Sequence, residues 1–460
     1  MIIIGGGPAG YAAALRAVRR GMKVTLIDAD NGLGGTCMNR GCIPTKALLE
    51  SSYLYARAKS GQFGVNGDVT LDMDAVFRRK DDIVAKMNKG IGTLVFAGKI
   101  DYRVAKAKLL SDTQVEISTG EVLEDETIVL AVGSHPVVPR AIKGIELAKT
   151  SDEILSRQFG KYTRVAVIGG GVIGVELATF FSQVGSSVTI LEGLPRLLAP
   201  FPADVMKYLG LSMRKSGIKM VTNAMVTSLE KSGNADLPDE IAVSYTEKEK
   251  ENRLLVDLVI VCVGRAANTI EGLDACGVAF DRGIVTDAEC KTGNPHIYAV
   301  GDCAKGNIQL AHFATAQAVG LVDRLAGYAT HADLKTVPAC VYTNPPVAKV
   351  GLSQEEAAAA GFEVEIGRFM TGANGKSVIA GEDRGYVKVV FDKTNDILLG
   401  IEMVAAEAPE IIGGLSTLVA MKAKRTDILA SIYPHPSVCE AFFEAVEDSL
   451  RLSIHTVYRN

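Results

Sequence analysis

The residues best suited to chemistry in this chain are two thiols and an imidazole. Cys37 and Cys42 stand with four residues between them in Gly-Gly-Thr-Cys-Met-Asn-Arg-Gly-Cys-Ile-Pro-Thr-Lys, residues 34–46. Pro44 and the amphipathic run Ala47, Leu48, Leu49, Tyr53 and Leu54 predict a loop feeding a helix, because proline is tolerated in a first turn. Cys42 then sits at the helix's positive end, where a thiolate is stabilised and its pKa falls below the free value of about 8.5. Two buried structural cysteines are the bland alternative. The flanking glycines and the nucleotide motifs described next favour a redox pair. Near the other end, His435 precedes Pro436, which holds the backbone extended there, and Glu440 begins an apolar helical pattern (Ala441, Phe442, Ala445, Val446). Histidine, with an ordinary pKa of about 6.5, takes and returns protons near neutrality. A carboxylate on its second nitrogen would orient the ring and raise its basicity. A lone histidine beside a helix start is more often a cap or solvated, and the cysteine pair reverses that preference. Cys439 reads as a small buried side chain.

Such groups need a scaffold, and the glycines supply one. Met1 to Ile4 reads as a buried strand. It runs into Gly5-Gly6-Gly7-Pro8-Ala9-Gly10, a helical pattern (Ala13, Ala14, Ala17, Val18), and a second strand ending in Asp28. In this βαβ unit Gly5 permits the tight turn, Gly7 admits a pyrophosphate, and Gly10 lets helix and strand pack closely. The helix N-terminus faces the phosphates and Asp28 can accept from a ribose hydroxyl. The pattern recurs in Gly169, Gly171 and Gly174, closed by Glu192, with 23 positions from first glycine to acid in both copies. Two dinucleotides are therefore expected. Glu192 suits a free 2′-hydroxyl and would repel a 2′-phosphate, so the second site is read as one for NAD. The nearby cation Arg196 could point anywhere. Two further strand–glycine junctions are Glu126 to Ser134, ending in Gly133-Ser134, and Asn294 to Asp302, whose Asp302 could bond flavin ribityl or ribose oxygens or simply hold a turn.

The remainder bounds the class. A chain of 460 residues with 47 glycines, 13 tyrosines, 14 phenylalanines and no tryptophan suits a multidomain α/β enzyme. A net charge of −4 offers nothing to nucleic acid or an anionic membrane. Eight cysteines in so long a chain are no secreted disulfide framework. No metal site is expected. The longest apolar run, Leu258 to Val263, is far short of a membrane span. No basic leader is expected ahead of the strand that opens at Ile2. A soluble cytoplasmic protein is expected. Val69 to Asn88 and Glu50 to Lys59 have helical periodicity, and Asn88 to Leu94 is broken by glycine. Lys231 to Arg253 reads as a solvated hairpin. After Thr336 come strands Gly385 to Phe391 and Ile397 to Val404, then helices Glu407 to Lys424 and Glu440 to Ser449.

Together these motifs resemble the pyridine nucleotide–disulfide oxidoreductase family, in order and over essentially the whole chain. The resemblance implies an α/β fold with two Rossmann-like dinucleotide-binding domains, for FAD and NAD, plus a C-terminal α+β dimerisation domain. The ranges would be 1–145 for FAD, 146–266 for NAD, 267–335 for a central domain completing the FAD site, and 336–460 for the interface. It implies a homodimer whose active site is shared. Cys37 would form the mixed disulfide with substrate and Cys42 would contact the flavin. Thr36, Lys46, Gly133, Ser134, Asp302, Leu310, Ala311 and His312 would line the FAD. Glu176 would pair with Lys46, and Gly264 would lie near the NAD. By sequence alone Lys46 and Glu176 would be ordinary helix-surface charges. His435, oriented by Glu440, would serve the disulfide of the other subunit.

The activity so implied is oxidation of a dihydrolipoyl group, carried on another protein, with NAD⁺. Members with that activity usually carry a further histidine two positions before the catalytic one, where this chain has Tyr433. The alternatives are a reductase of glutathione-like or mercuric substrates and a flavin redox sensor without turnover. Glu192 argues against the glutathione type, the lack of a C-terminal cysteine pair against the mercuric type, and the His435–Glu440 pair against the sensor.

Overall fold

In the computed structural model, which describes residues 1–30, 32–156 and 159–458, the chain divides into two units. The first comprises residues 1–140, 148–161 and 261–334, and the second residues 141–147, 162–260 and 335–460.

The first unit is built on a five-stranded parallel sheet ordered Ile297–Ala299, Ile128–Leu130, Ile2–Ile4, Thr25–Asp28, Asp101–Val104. The inner strands Ile2–Ile4 and Ile128–Leu130 are apolar without alternation because both faces are covered, while the edge strand Asp101–Val104 is polar and partly exposed. Ile3, Leu26 and Val129 pack under Ala13, Ala14 and Ala17 of the helix Pro8–Arg19 and Ala318 and Leu321 of the helix Ala311–Leu325. On the other face Ile2, Ile4, Ile27, Ile128 and Leu130 meet Val115 and Ile117 of a three-stranded antiparallel sheet. Alanine on the first helix keeps that layer thin. Asp323 takes ion pairs from Arg16 and Arg20, tying the two helices together.

The second unit carries another sheet, in which Lys219–Thr222, Ser187–Glu192 and Arg164–Ile168 run parallel with Leu258–Val261 beside them. The expected hairpin is the three-stranded antiparallel sheet Ala224–Lys231, Ile241–Glu247, Lys250–Val256. The C-terminal part is a five-stranded antiparallel sheet ordered Ala339–Val341, Val347–Gly351, Ile397–Val404, Tyr386–Asp392, Val364–Met370. Phe442, Ala445 and Val446 of the helix Cys439–Asp448 and Ile412, Leu415 and Val419 of the helix Ala408–Ala420 share its core.

Two elements differ from expectation. The helix Met73–Ala97 runs straight through Gly90 and Gly92. Burial of Val76, Phe77, Ile91 and Val95 on one face outweighs a helix-propensity cost of about 1 kcal/mol per glycine. The stretch before Cys42 is also no loop. Gly35–Arg40 forms one short helix, and Gly41 (φ −142°, ψ −114°) breaks it from the helix Cys42–Lys59. Among the described residues, no helix is long and apolar enough to cross a membrane.

Candidate active site

The first glycine turn has the geometry its residues require. Gly5 adopts φ +110°, and a Cβ on it would lie 2.2 Å from the carbonyl oxygen of Ala131. A Cβ on Gly10 would lie 1.7 Å from the oxygen of Gly5, so helix and turn touch backbone to backbone. Gly7 caps the helix without any side-chain bond, and a Cβ there would approach only the Cα of Gly35, at 3.8 Å. Close approach to the helix start is thus left open at Gly7, as binding of a phosphate there requires. Asp28 accepts from the amides of Gly6 (3.0 Å) and Asp30 (3.2 Å). Burial raises its pKa, and the backbone donors oppose that.

The cysteines stand against this turn. The Cα of Gly7 would lie 2.7 Å from a Cβ on Gly35, the first residue of the short helix that carries Thr36 and Cys37. Asn39 closes the preceding loop by donating to the carbonyls of Gly32 and Gly35. Cys42 is the first residue of its helix, as expected. Cys37 and Cys42 are thiols in hydrogen-bond contact. That bond and burial push the Cys37 pKa far up, while the charge of half-buried Lys46 pulls it down. In the dithiol, Cys37 therefore keeps its proton.

A polar network ties the cysteine helix to the glycine junctions. Arg265 donates to Ser134 Oγ (2.8 Å) and to the Ser134 carbonyl (2.8 Å), and reaches Thr36 Oγ1 at 3.5 Å. Ser134 Oγ donates in turn to Asp302 Oδ2 at 2.7 Å. Burial raises the Asp302 pKa, opposed by the Ser134 bond and the Arg265 charge. Asp152 pairs with both Arg265 (3.3 Å) and Arg40 (3.3 Å), so both ends of the short helix are held. Gly133 (φ +73°) and Gly264 (φ +125°) have nothing within 4 Å of an added Cβ. Leu310 caps the helix that begins Ala311-His312, and His312 is exposed. Sequence reasoning missed Arg265, Asp152 and Arg40. The position of Arg265 directly after Gly264 was the available signal, but its partners lie far off in the chain.

The second glycine turn repeats the first. Gly169 has φ +103°, a Cβ on Gly174 would lie 2.1 Å from the Gly169 oxygen, and Gly171 is open. Glu192 accepts from the amides of Gly170 (2.6 Å) and Leu194 (2.7 Å), matching what Asp28 does with Gly6 and Asp30. Arg196 is committed elsewhere: its guanidinium donates to the carbonyls of Leu198, Ala199 and Phe201. Glu176 is no surface charge; it is buried and accepts from the Tyr342 amide at 3.0 Å.

At the C-terminal end, His435 Nδ1 lies 2.9 Å from Glu440 Oε1, whose other oxygen accepts from the Ser437 amide (2.8 Å). The His435–Pro436 bond is cis. Burial pushes the Glu440 pKa up, but the Ser437 amide and His435 together hold it below the usual carboxylate range. The imidazole is 79 % exposed, so Nε2 is open to a reactant. Tyr433 packs on Phe443 and Phe442, with ring centroids 5.3 and 6.2 Å away.

Comparison with known proteins bears directly on this arrangement. The family model described as pyridine nucleotide-disulphide oxidoreductase matches residues 1–318, and that family's dimerisation domain matches residues 337–446. The chain belongs to this family. As a member it is an oxidoreductase that uses FAD and NAD, and its two glycine turns fit them. The dimerisation domain makes it a homodimer. A dihydrolipoyl dehydrogenase of Rhizobium etli is 36% identical, covering 98% of this chain and 97% of the relative. Another, of Bacillus subtilis, is 33% identical over 99% of this chain and 98% of the relative. Among solved structures, the HOCl-induced flavoprotein disulfide reductase RclA of Escherichia coli superposes with a TM-score of 0.86 at 25% identity, covering 97% of this chain and 99% of that one.

Proposed function

We propose that this chain oxidises the dihydrolipoyl group of a partner protein and passes the electron pair to NAD⁺, acting as a cytoplasmic dihydrolipoyl dehydrogenase. The observation that carries the reading is the Cys37–Cys42 contact at a helix start abutting the first glycine turn. Residues 1–145 with 267–335 serve the FAD site, 146–266 the NAD site and 336–460 the interface. Gly5, Gly7, Gly10, Asp28, Thr36, Lys46, Gly133, Ser134, Asp302 and the 310–312 turn hold FAD. Gly169, Gly171, Gly174, Glu192 and Gly264 serve NAD.

The chemistry follows from the two sulfurs' different settings. In the oxidised pair, a substrate thiolate attacks Cys37 Sγ, the Cys37–Cys42 bond breaks, and Cys42 departs as a thiolate at the positive end of its helix. The partner's His435 removes the proton of the second substrate thiol. That sulfur attacks the first, releasing Cys37 and closing the lipoyl disulfide. Glu440 keeps Nδ1 protonated, so Nε2 is the nitrogen that takes the proton. FAD, when bound, supplies the two-electron relay between the cysteine dithiol and NAD⁺. At the second turn Glu192 accepts from a ribose hydroxyl and repels a 2′-phosphate. Arg196, spent on carbonyls, offers that phosphate no cation.

Steady-state kinetics with dihydrolipoamide and with glutathione disulfide, each against both nicotinamides, tests the reading. Dihydrolipoamide with NAD⁺ is expected to be fastest. Faster turnover of glutathione disulfide with NADPH would overturn it. Tyr433, standing where a second histidine is usual, is the observation that favours a different disulfide substrate, and the same assay separates the two.

A further inference from the structure

The helix Cys439–Asp448 places Glu440, Glu444 and Glu447 at i, i+4 and i+7, three carboxylates on one face, of which Glu440 contacts His435. Like charges at this spacing repel one another. The C-terminal tail answers them. His455 Nδ1 lies 2.5 Å from Glu444 Oε1, and Ser453 Oγ donates to Glu444 Oε2 at 2.5 Å. Thr456 Oγ1 lies 2.8 Å from Ser453 Oγ. Tyr458 accepts from the Ser453 amide (3.1 Å) and donates to Asp448 (3.0 Å), clamping the tail on the same helix. Glu444 and Ser453 are buried.

We propose that His455 is a positioning residue for the acid–base pair: by holding Glu444 one turn beyond Glu440, it sets the charge around His435 and so its basicity. The proposal rests on the reading of His435 as the proton acceptor. His455 faces Glu444 in contact and Glu440 and Glu447 at longer range on the same helix, with the Ser453 and Thr456 hydroxyls from its own tail. Its charge lowers the Glu440 pKa, after the Ser437 amide and His435, and opposes the upward push of burial and Glu444 on Glu447. Its effect thus extends beyond the carboxylate it touches.

The test is the pH profile of kcat/KM for dihydrolipoamide in the flavin-loaded dimer. His455→Gln removes the positive charge that the protonated ring carries and should move the governing ionisation up by about half a pH unit. Glu444→Gln removes an anion and should move it down by a similar amount, and the double variant should return near the parent profile. His455→Lys, which keeps a cation, should restore it. Folding is checked by flavin absorbance and by NADH-to-dye activity, which bypasses the cysteines. Two single variants that shift the same way, or not at all, overturn the proposal, since loss of a merely structural clamp has no sign. If the parent enzyme does not turn over dihydrolipoamide, the underlying reading fails instead.

Discussion

At the residue scale, three acids at strand ends or turns do different work. Asp28 and Glu192 each brace a glycine turn through two amides, leaving further lone pairs for a ribose. Glu192→Ala should therefore lower kcat/KM for NAD⁺ about tenfold, the consequence of losing one charged hydrogen bond, and narrow the preference over NADP⁺. Asp302 is half-buried and accepts from the Ser134 hydroxyl, and its raised pKa has a consequence for the unloaded protein. A carboxyl whose folded pKa exceeds its unfolded value makes the native state bind more protons between the two values, so its contribution to stability falls as pH rises through that window. Asp302→Asn should then stabilise the apoprotein at pH 7 by of order 1 kcal/mol, measured by urea unfolding, while FAD retention on gel filtration drops. Cys42→Ser should abolish dihydrolipoamide turnover and leave part of the NADH-to-dye activity; undiminished turnover would refute the role of the pair.

At the scale of elements, contact between backbones decides more than side-chain preference. Gly174 packs its helix on the turn so closely that Gly174→Ala should cost roughly 2 kcal/mol of stability and abolish NAD⁺ binding, read by denaturation and by calorimetry. Both βαβ units were legible from glycine spacing and terminal acids, because those positions answer to local sterics. The helix Met73–Ala97 was legible only as far as Asn88, since what carries it past two glycines is a core partner and not its own propensity. The short helix Gly35–Arg40 was illegible for the same kind of reason. Its ends are held by Arg265 and Asp152, more than a hundred residues away in sequence.

At the scale of the whole molecule, the C-terminal unit leaves Ile432 98 %, Val457 88 % and Ile454 80 % exposed. Ile432 lies within the residues matched by the family's dimerisation domain, and an apolar side chain left in water there is expected to be covered by the second copy. Ile432→Asp should therefore give a monomer by sedimentation, with dihydrolipoamide turnover lost and dye reduction retained, because His435 would no longer reach a second subunit's cysteines. A monomer with full turnover would show that each chain works alone.

The linear sequence determined the family, both nucleotide turns, the cysteine pair and the His435–Glu440 box, because each is written in residues a few positions apart whose geometry is local. Only the tertiary structure decided how Arg196 spends its charge, that Glu176 is buried against Tyr342, and that Arg265 and Asp152 grip the cysteine helix. It also brought His455 from the tail to Glu444 of the helix Cys439–Asp448. These are hydrogen bonds and ion pairs between distant segments, and no spacing rule encodes a partner that only folding brings near.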